Sequence, residues 1–74
     1  MVGAAVETYY DNETWLNRFE GGDRLPGEYP TCEAAVEVAR TEARVRGVEH
    51  VIRRVDGSLA ERRRYPRTSW ELPG

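Results

Sequence analysis

The strongest constraint on the fold is one helical segment between Thr31 and Gly47. Thr31 carries a side-chain oxygen suited to an N-cap, and Gly47 is the residue type that most often ends a helix. Glu33 falls in the first turn, and Arg44 and Arg46 fall in the last, where the helix dipole favours these charges. The segment therefore predicts a single helix of about four turns.

The apolar stripe of this helix consists mostly of small residues. On a helical wheel its members fall on one side: Cys32, Ala35, Val36, Ala39 and Ala43. Small side chains allow a helix to lie close to a sheet, so we expect the helix to pack flat across strands.

The segments before and after the helix are both typical of hairpins. Residues 6–10 and 15–19 are rich in β-branched and aromatic side chains and flank a polar turn. In the second of these strands Trp15, Asn17 and Phe19 share one face. Residues 21–30 hold three glycines and two prolines, which predicts a loop.

A second hairpin is predicted from residues 48–55 and 58–65, joined by Asp56-Gly57, a strong hairpin signal. Its register stays open, because a two-residue loop pairs Val55 with Ser58 and a three-residue loop pairs it with Leu59. We favour the register that directs Val51 and Val55 inward.

The 74 residues therefore predict one small α+β domain of order β-β-α-β-β. We expect an antiparallel four-stranded sheet with one helix packed on one face, spanning residues 1–66. Residues 67–74 are interrupted by proline and are expected to form an irregular tail.

Short motifs along the chain point to a family. They are Trp15, Glu20-Gly21, Thr31 followed by Ala34-Ala35, Ala39-Arg40, Gly47, Val51-Ile52, Asp56-Gly57, and Glu61 through Tyr65. Together they resemble the bacterial Domain of Unknown Function family numbered twenty-one eighty-eight, over residues 6–66. The resemblance implies a compact sheet with one helix and no assigned activity, and it transfers no catalytic residue.

The composition excludes several kinds of chemistry. All 11 cationic residues are arginine, so the chain lacks the lysine of a phosphate-binding loop or of a Schiff base. One cysteine and one histidine are too few for the nitrogen and sulfur ligands of a structural zinc site. We therefore expect no cofactor, no metal and no enzymatic activity.

The same counts bear on location. A single cysteine forms no internal disulfide, which favours a reducing compartment. Residues 1–6 lack the basic start of a signal peptide, and no stretch has the length of a membrane span. We expect a cytoplasmic protein without a membrane association.

Cys32 is a candidate for a reactive residue, because a thiol in the first helical turn can have a lowered pKa. His50 on the third strand is the one residue that could form a Cys-His pair with it. Since Cys32 also belongs to the apolar stripe, the simpler interpretation is a small core residue.

Charge is distributed unevenly along the chain, with most of the arginines in its second half. Residues 1–37 hold 8 acidic and 2 basic residues, and residues 38–74 hold 5 acidic and 9 basic ones, which gives −6 and +4 and sums to the net charge of −2. The candidate interaction surface comprises the arginines of the second hairpin and the aromatic and apolar residues that follow: Arg53, Arg54, Arg62, Arg64, Tyr65, Trp70 and Leu72.

These observations favour a non-enzymatic interaction or accessory module whose partner is another protein or a second copy of the chain. Nucleic-acid binding by the arginine-rich hairpin is the alternative, although the negative net charge disfavours it. A reactive thiol at Cys32 is the third and weakest hypothesis.

Overall fold

The computed structural model of the protein describes residues 3–66. The elements follow the predicted order: β1 (Val6–Asp11), β2 (Thr14–Phe19), α1 (Cys32–Arg46), β3 (Glu49–Arg53) and β4 (Leu59–Arg64). The predicted tail, residues 67–74 with Trp70 and Leu72, lies outside the described residues.

The four strands form one mixed sheet in the order β2-β1-β3-β4. β1 pairs antiparallel with β2, and β3 pairs antiparallel with β4, but the central strands β1 and β3 run parallel. The prediction of a fully antiparallel sheet is therefore wrong.

The path of the loop before the helix explains the parallel centre. Arg24 and Tyr29 form antiparallel bridges with Arg18 and Trp15, so the loop runs back along the outer edge of β2. The loop thus ends beside the start of β2, and the chain enters α1 there. The helix then returns the chain to the end of the sheet at which β1 begins. β3 then has to run in the direction of β1.

A two-residue turn joins β1 to β2. Asn12 and Glu13 both have positive φ, at 52° and 63°, and the register closes directly around them as Asp11 opposite Thr14. Left-handed conformation at both central positions gives the turn a twist that matches two antiparallel strands. The first hairpin predicted from the sequence is confirmed.

The helix forms between the predicted caps. The amide of Ala34 donates to Thr31 Oγ1 at 3.1 Å, and Gly47 adopts a φ of 70° while its N–H donates to the carbonyl of Ala43. The alanines of the predicted stripe are buried: Ala35, Ala39 and Ala43. Two of them join Val6 and Val48 in the hydrophobic core, where Phe19, Leu25 and Tyr65 pack at the margin.

Strand alternation and pairing divide the sheet into two faces. The Val6 face carries Val6, Thr8, Asn17, Phe19, His50 and Arg63. The Glu7 face carries Glu7, Tyr9, Leu16, Arg18, Glu49, Val51, Arg53, Arg62 and Arg64. α1 contacts β1, β2 and β3, and the amide of Asn17 on the Val6 face donates to the carbonyl of Ala35.

The second hairpin closes earlier than predicted. β3 ends at Arg53, which is opposite Leu59, and the ladder is irregular at this point. Val55 lies in the turn and is 63% exposed, so its predicted inward orientation is wrong, whereas Val51 is buried. The N–H of Gly57 donates to the carbonyl of Arg54, and this contact places Val55 within the turn.

Candidate binding surface

A buried carboxylate organises the centre of the Glu7 face. Glu7 is only 4% exposed although it lies on a central strand of a small sheet. Arg18 Nε donates to its Oε1 at 2.6 Å, and Arg53 Nε donates to its Oε2 at 2.8 Å. Glu7 thereby connects both neighbouring strands, β2 and β3.

The two guanidinium groups set the charge of this carboxylate. Burial acts to raise the pKa of Glu7, but the hydrogen bonds from Arg53 and Arg18, with their positive charges, outweigh it and lower the pKa below its ordinary value. Glu7 is therefore ionised at neutral pH, as a buried ion pair requires.

An aromatic ring fixes the position of Arg18. Its guanidinium carbon lies 4.2 Å from the centre of the Tyr9 ring, within the range of a cation–π contact. Tyr9 and Glu7 stand on the same face of β1, so one strand supplies both the carboxylate and the ring that hold Arg18.

A third arginine borders the same region. Arg54 donates from Nη1 to the carbonyl of Leu59 at 2.7 Å and to Ser58 Oγ at 3.2 Å. These bonds hold the side chain against the turn between β3 and β4. An open cleft of about 440 Å³ lies here, lined by Glu7, Tyr9, Tyr10, Arg18, Arg53, Arg54 and Gly57.

Arg62 forms a second ionic cluster on the Glu7 face. Its Nη1 donates to Glu49 Oε1 at 2.6 Å, and its Nη2 lies 3.6 Å from Glu20 Oε2. Arg62 stands opposite Val51 in the ladder. The predicted arginine surface is thus interleaved with glutamates.

The other residues near the predicted interaction surface do not form one continuous surface. Arg64 is exposed and stands opposite Glu49. Arg63 lies on the Val6 face, as alternation predicts, and Tyr65 packs against the core instead of joining the arginines of the Glu7 face. Trp70 and Leu72 belong to the residues that are not described.

One family model matches the chain, over residues 6–65, and its description is "Uncharacterized protein conserved in bacteria (DUF2188)". The chain belongs to this family. The match spans the helix and all four strands, and the resemblance noted in the sequence is confirmed. No curated protein and no solved structure matches the chain.

The DUF2188 description names no ligand, so the chemistry has to be argued from the side chains. Within residues 3–66, no group of three or more His, Cys, Asp or Glu side chains is arranged to hold a metal ion. The helix of this part of the chain is too short and too polar to cross a membrane.

A series of buried hydrogen bonds connects the helix of this DUF2188 domain to the Val6 face of the sheet. Asn17 Nδ2 donates to the carbonyl of Ala35, which orients the amide, and Thr8 Oγ1 donates to Asn17 Oδ1 at 2.7 Å. Since that bond uses the only hydroxyl proton, Thr8 Oγ1 accepts from His50 Nε2 at 2.8 Å. His50 is therefore a buried residue whose Nε2 carries a proton and donates to Thr8.

The surroundings of His50 and Cys32 do not favour a thiol site. His50 bonds to Thr8, and burial, reinforced by Arg40 and opposed by Glu61, lowers its pKa. Burial, assisted by the Glu33 charge, raises the pKa of Cys32. A raised pKa keeps the thiol protonated at neutral pH, which favours the interpretation of Cys32 as a small residue of the helix stripe over that of a reactive thiol.

Sequence reasoning missed the organising residues of the surface: Glu7, Tyr9 and Arg18. The available signal was local, since Glu7 is a carboxylate between Val6 and Thr8 in an otherwise β-prone segment. Its partner Arg53 follows only from the parallel pairing of β1 with β3, which local patterns do not specify.

Proposed function

We propose that this DUF2188 protein is a non-enzymatic interaction module that receives an acidic, extended segment of a protein partner along β4. The observation that carries the proposal is the exposure of β4, since all six residues of Leu59–Arg64 are exposed. A strand of this kind offers main-chain donors and acceptors to an added strand.

The position of the helix supports this choice of strand. Within residues 3–66, α1 contacts β1, β2 and β3 but not β4. We infer that the helix covers the Val6 face of those three strands only. The fourth strand then extends beyond the helix and is accessible on both faces.

The opposite edge of the sheet is closed to an added strand. Tyr29 exchanges main-chain hydrogen bonds of 2.9 Å with Trp15. The N–H of Leu25 donates to the carbonyl of Asn17, and the N–H of Phe19 donates to the carbonyl of Asp23. Within the described residues, β4 pairs with β3 alone. β4 is therefore the edge to which a partner strand can be added.

Charge determines the chemistry of the partner. β4 carries Arg62, Arg63 and Arg64 against the single carboxylate of Glu61. Arginines and charged edges also protect strands against unwanted self-pairing, and a self-paired β4 would bring like charges together. An acidic segment would instead gain main-chain bonds and complementary charge.

Nucleic-acid binding is the second candidate, favoured by the run of exposed arginines in β4. Carboxylates oppose it, because Arg62 pairs with Glu49 and Glu20, and Arg63 lies near Glu61. Nucleic acid relies on contacts between arginine and phosphate, which would have to displace these pairs, whereas an acidic strand also gains main-chain hydrogen bonds from β4. The negative net charge of the protein also acts against binding to a long polyanion.

The test is a nuclear magnetic resonance titration of the full chain with an extended peptide of alternating valine and glutamate. A peptide with lysine in place of glutamate is the matched control. We expect saturable changes at the amides of β4 and β3 for the glutamate peptide only. Arg64→Gln should weaken this binding, and Arg44→Gln, on the exposed part of the helix, should not.

Three results would overturn the proposal. One is equal binding of the two peptides, and another is the absence of any change at β4. The third is self-association through β4, seen as a molecular mass that rises with protein concentration and as a loss of peptide binding. This result would assign the edge to a second copy of the chain. A gel-shift assay in about 50 mM salt, where phosphate contacts are strongest, tests the nucleic-acid alternative directly.

A further inference from the structure

The cleft on the Glu7 face, distinct from the β4 edge, contains a preorganised pair of arginines. Both Arg18 and Arg53 bind Glu7 through Nε, so the terminal nitrogens of the two groups are not the atoms that hold the carboxylate. Both side chains also line the cleft. An arginine fixed through Nε keeps further N–H donors of its planar fork for a ligand.

The charge lining the cleft exceeds what Glu7 requires. Within residues 3–66, Arg54 lines the cleft and donates its side-chain hydrogen bonds to Leu59 and Ser58, not to Glu7. One carboxylate against three guanidinium groups leaves a formal charge of +2 on the lining. Asp56 lies outside the lining but bonds to the same Ser58 as Arg54, and its carboxylate reduces the formal charge around the cleft to +1. An ion-pair network that served only to bury Glu7 would need two arginines.

The groups are held in place before any ligand arrives. Tyr9 lies under the guanidinium of Arg18, Glu7 ties Arg18 to Arg53, and the turn carbonyl of Leu59 holds Arg54. Such restraint reduces the entropy lost when flexible arginine side chains bind a ligand. Planar forks fixed near one another match the oxygens of carboxylate and phosphate groups.

We propose that the cleft formed by Arg18, Arg53, Arg54 and Tyr9 binds a small oxyanion group, a carboxylate or a phosphate. Glu7 is a positioning residue in this site, since it orients two of the arginines. The proposal does not rest on the binding of a partner to β4, because the two surfaces use different residues and are probed with different ligands.

The experiment is a titration of the folded full chain with inorganic phosphate and, separately, with acetate, at constant ionic strength maintained with chloride. Amide resonances report the location of binding. We expect saturable shifts centred on Arg53, Arg54 and Gly57. Binding of phosphate alone identifies a phosphate-type ligand, binding of acetate alone identifies a carboxylate, and binding of both supports the general oxyanion site.

Arg54→Gln is the decisive variant, because it leaves the Glu7 ion pairs in place. We expect it to weaken oxyanion binding about two- to five-fold, as for one partly exposed charge contact. Arg53→Lys preserves the charge but loses the planar fork, and it should weaken binding as well. Arg44→Gln is the matched control on the helix and should bind like the unchanged protein.

The proposal is wrong if neither anion gives a saturable shift at the cleft while chloride is held constant. It is also wrong if Arg54→Gln and Arg53→Lys bind as tightly as the unchanged protein although their spectra show a native fold. A shift that is spread over all arginines of the chain would show general charge screening instead of a site.

Discussion

The two edge strands of the sheet have the same length and opposite environments. β2 contributes buried Leu16 and Asn17 and is bridged along its outer side by the loop that precedes the helix. β4 is exposed at every residue and is held through its ladder with β3. β2 therefore contributes to the core, whereas β4 is accessible to solvent within the described residues.

The largest expected effect compares one leucine on each edge. Leu16 is 3% exposed and Leu59 is 44% exposed. Leu16→Ala should lower the free energy of unfolding by about 2–4 kcal/mol, and Leu59→Ala by less than about 1 kcal/mol. Urea unfolding measures both, and Leu16→Val serves as a milder variant if Leu16→Ala does not fold. Equal losses would contradict the division between the two edges.

The second comparison uses the two glutamates that bind arginines on the Glu7 face. Glu7→Gln removes a carboxylate from two ion pairs at a buried position and should cost about 1–3 kcal/mol of unfolding free energy. Glu49→Gln removes a partly exposed pair with Arg62 and should cost much less. The order of the two urea midpoints checks this, and the reverse order would mean that Glu7 is not an anchor.

A third effect depends on pH and isolates the buried centre. The chain has one histidine, and burial lowers the pKa of His50 in the folded state. Below about pH 6.5 His50 is protonated in the unfolded chain but stays neutral in the folded chain until a lower pH is reached. The free energy of unfolding therefore falls as the pH drops.

Urea unfolding between pH 7.5 and 5.5 measures this loss of stability. His50→Gln should remove this part of the pH dependence. Glu7 contributes separately at lower pH, since its lowered pKa gives stability that is lost as the pH falls through and below about 4.3. A flat stability profile between pH 7.5 and 5.5 in the unchanged protein would place His50 outside the core.

The smallest expected effect is at Arg63 on β4. Its side chain is exposed and lies 3.6 Å from Glu61 of the same strand. Arg63→Gln should leave the thermal midpoint unchanged within the error of calorimetry, because an exposed pair of this kind contributes little. A clear loss of stability would show that β4 is supported by more than its ladder.

The sequence predicts correctly those features that depend on residues close to one another in the chain. Thr31, Gly47 and the alanines of the helix act within a few residues of one another, so the helix and its caps are predicted correctly. The parallel pairing of β1 with β3 depends on the loop that runs back along β2, and a local pattern of glycine and proline does not reveal that path.

The candidate site shows the same limit. Alternation alone places Arg62 and Arg63 on opposite faces of β4. The contact between Glu7 and Arg53 requires β1 to lie beside β3, and the burial of Glu7 depends on that neighbour. The orientation of Val55 is predicted wrongly because Asp56-Gly57 is compatible with more than one hairpin register, and local sequence does not choose between them.

The parallel contact at the centre of the sheet has a consequence for how the chain assembles. β1 and β3 are separated in sequence by β2, the loop and α1, so the middle of the sheet closes after a long excursion of the chain. A chain divided at the connection between α1 and β3 would give two fragments, each with a hairpin whose inner edge is complementary to the other. We expect two such fragments to associate through the contact between β1 and β3, and the Glu7–Arg53 ion pair would form only when they do.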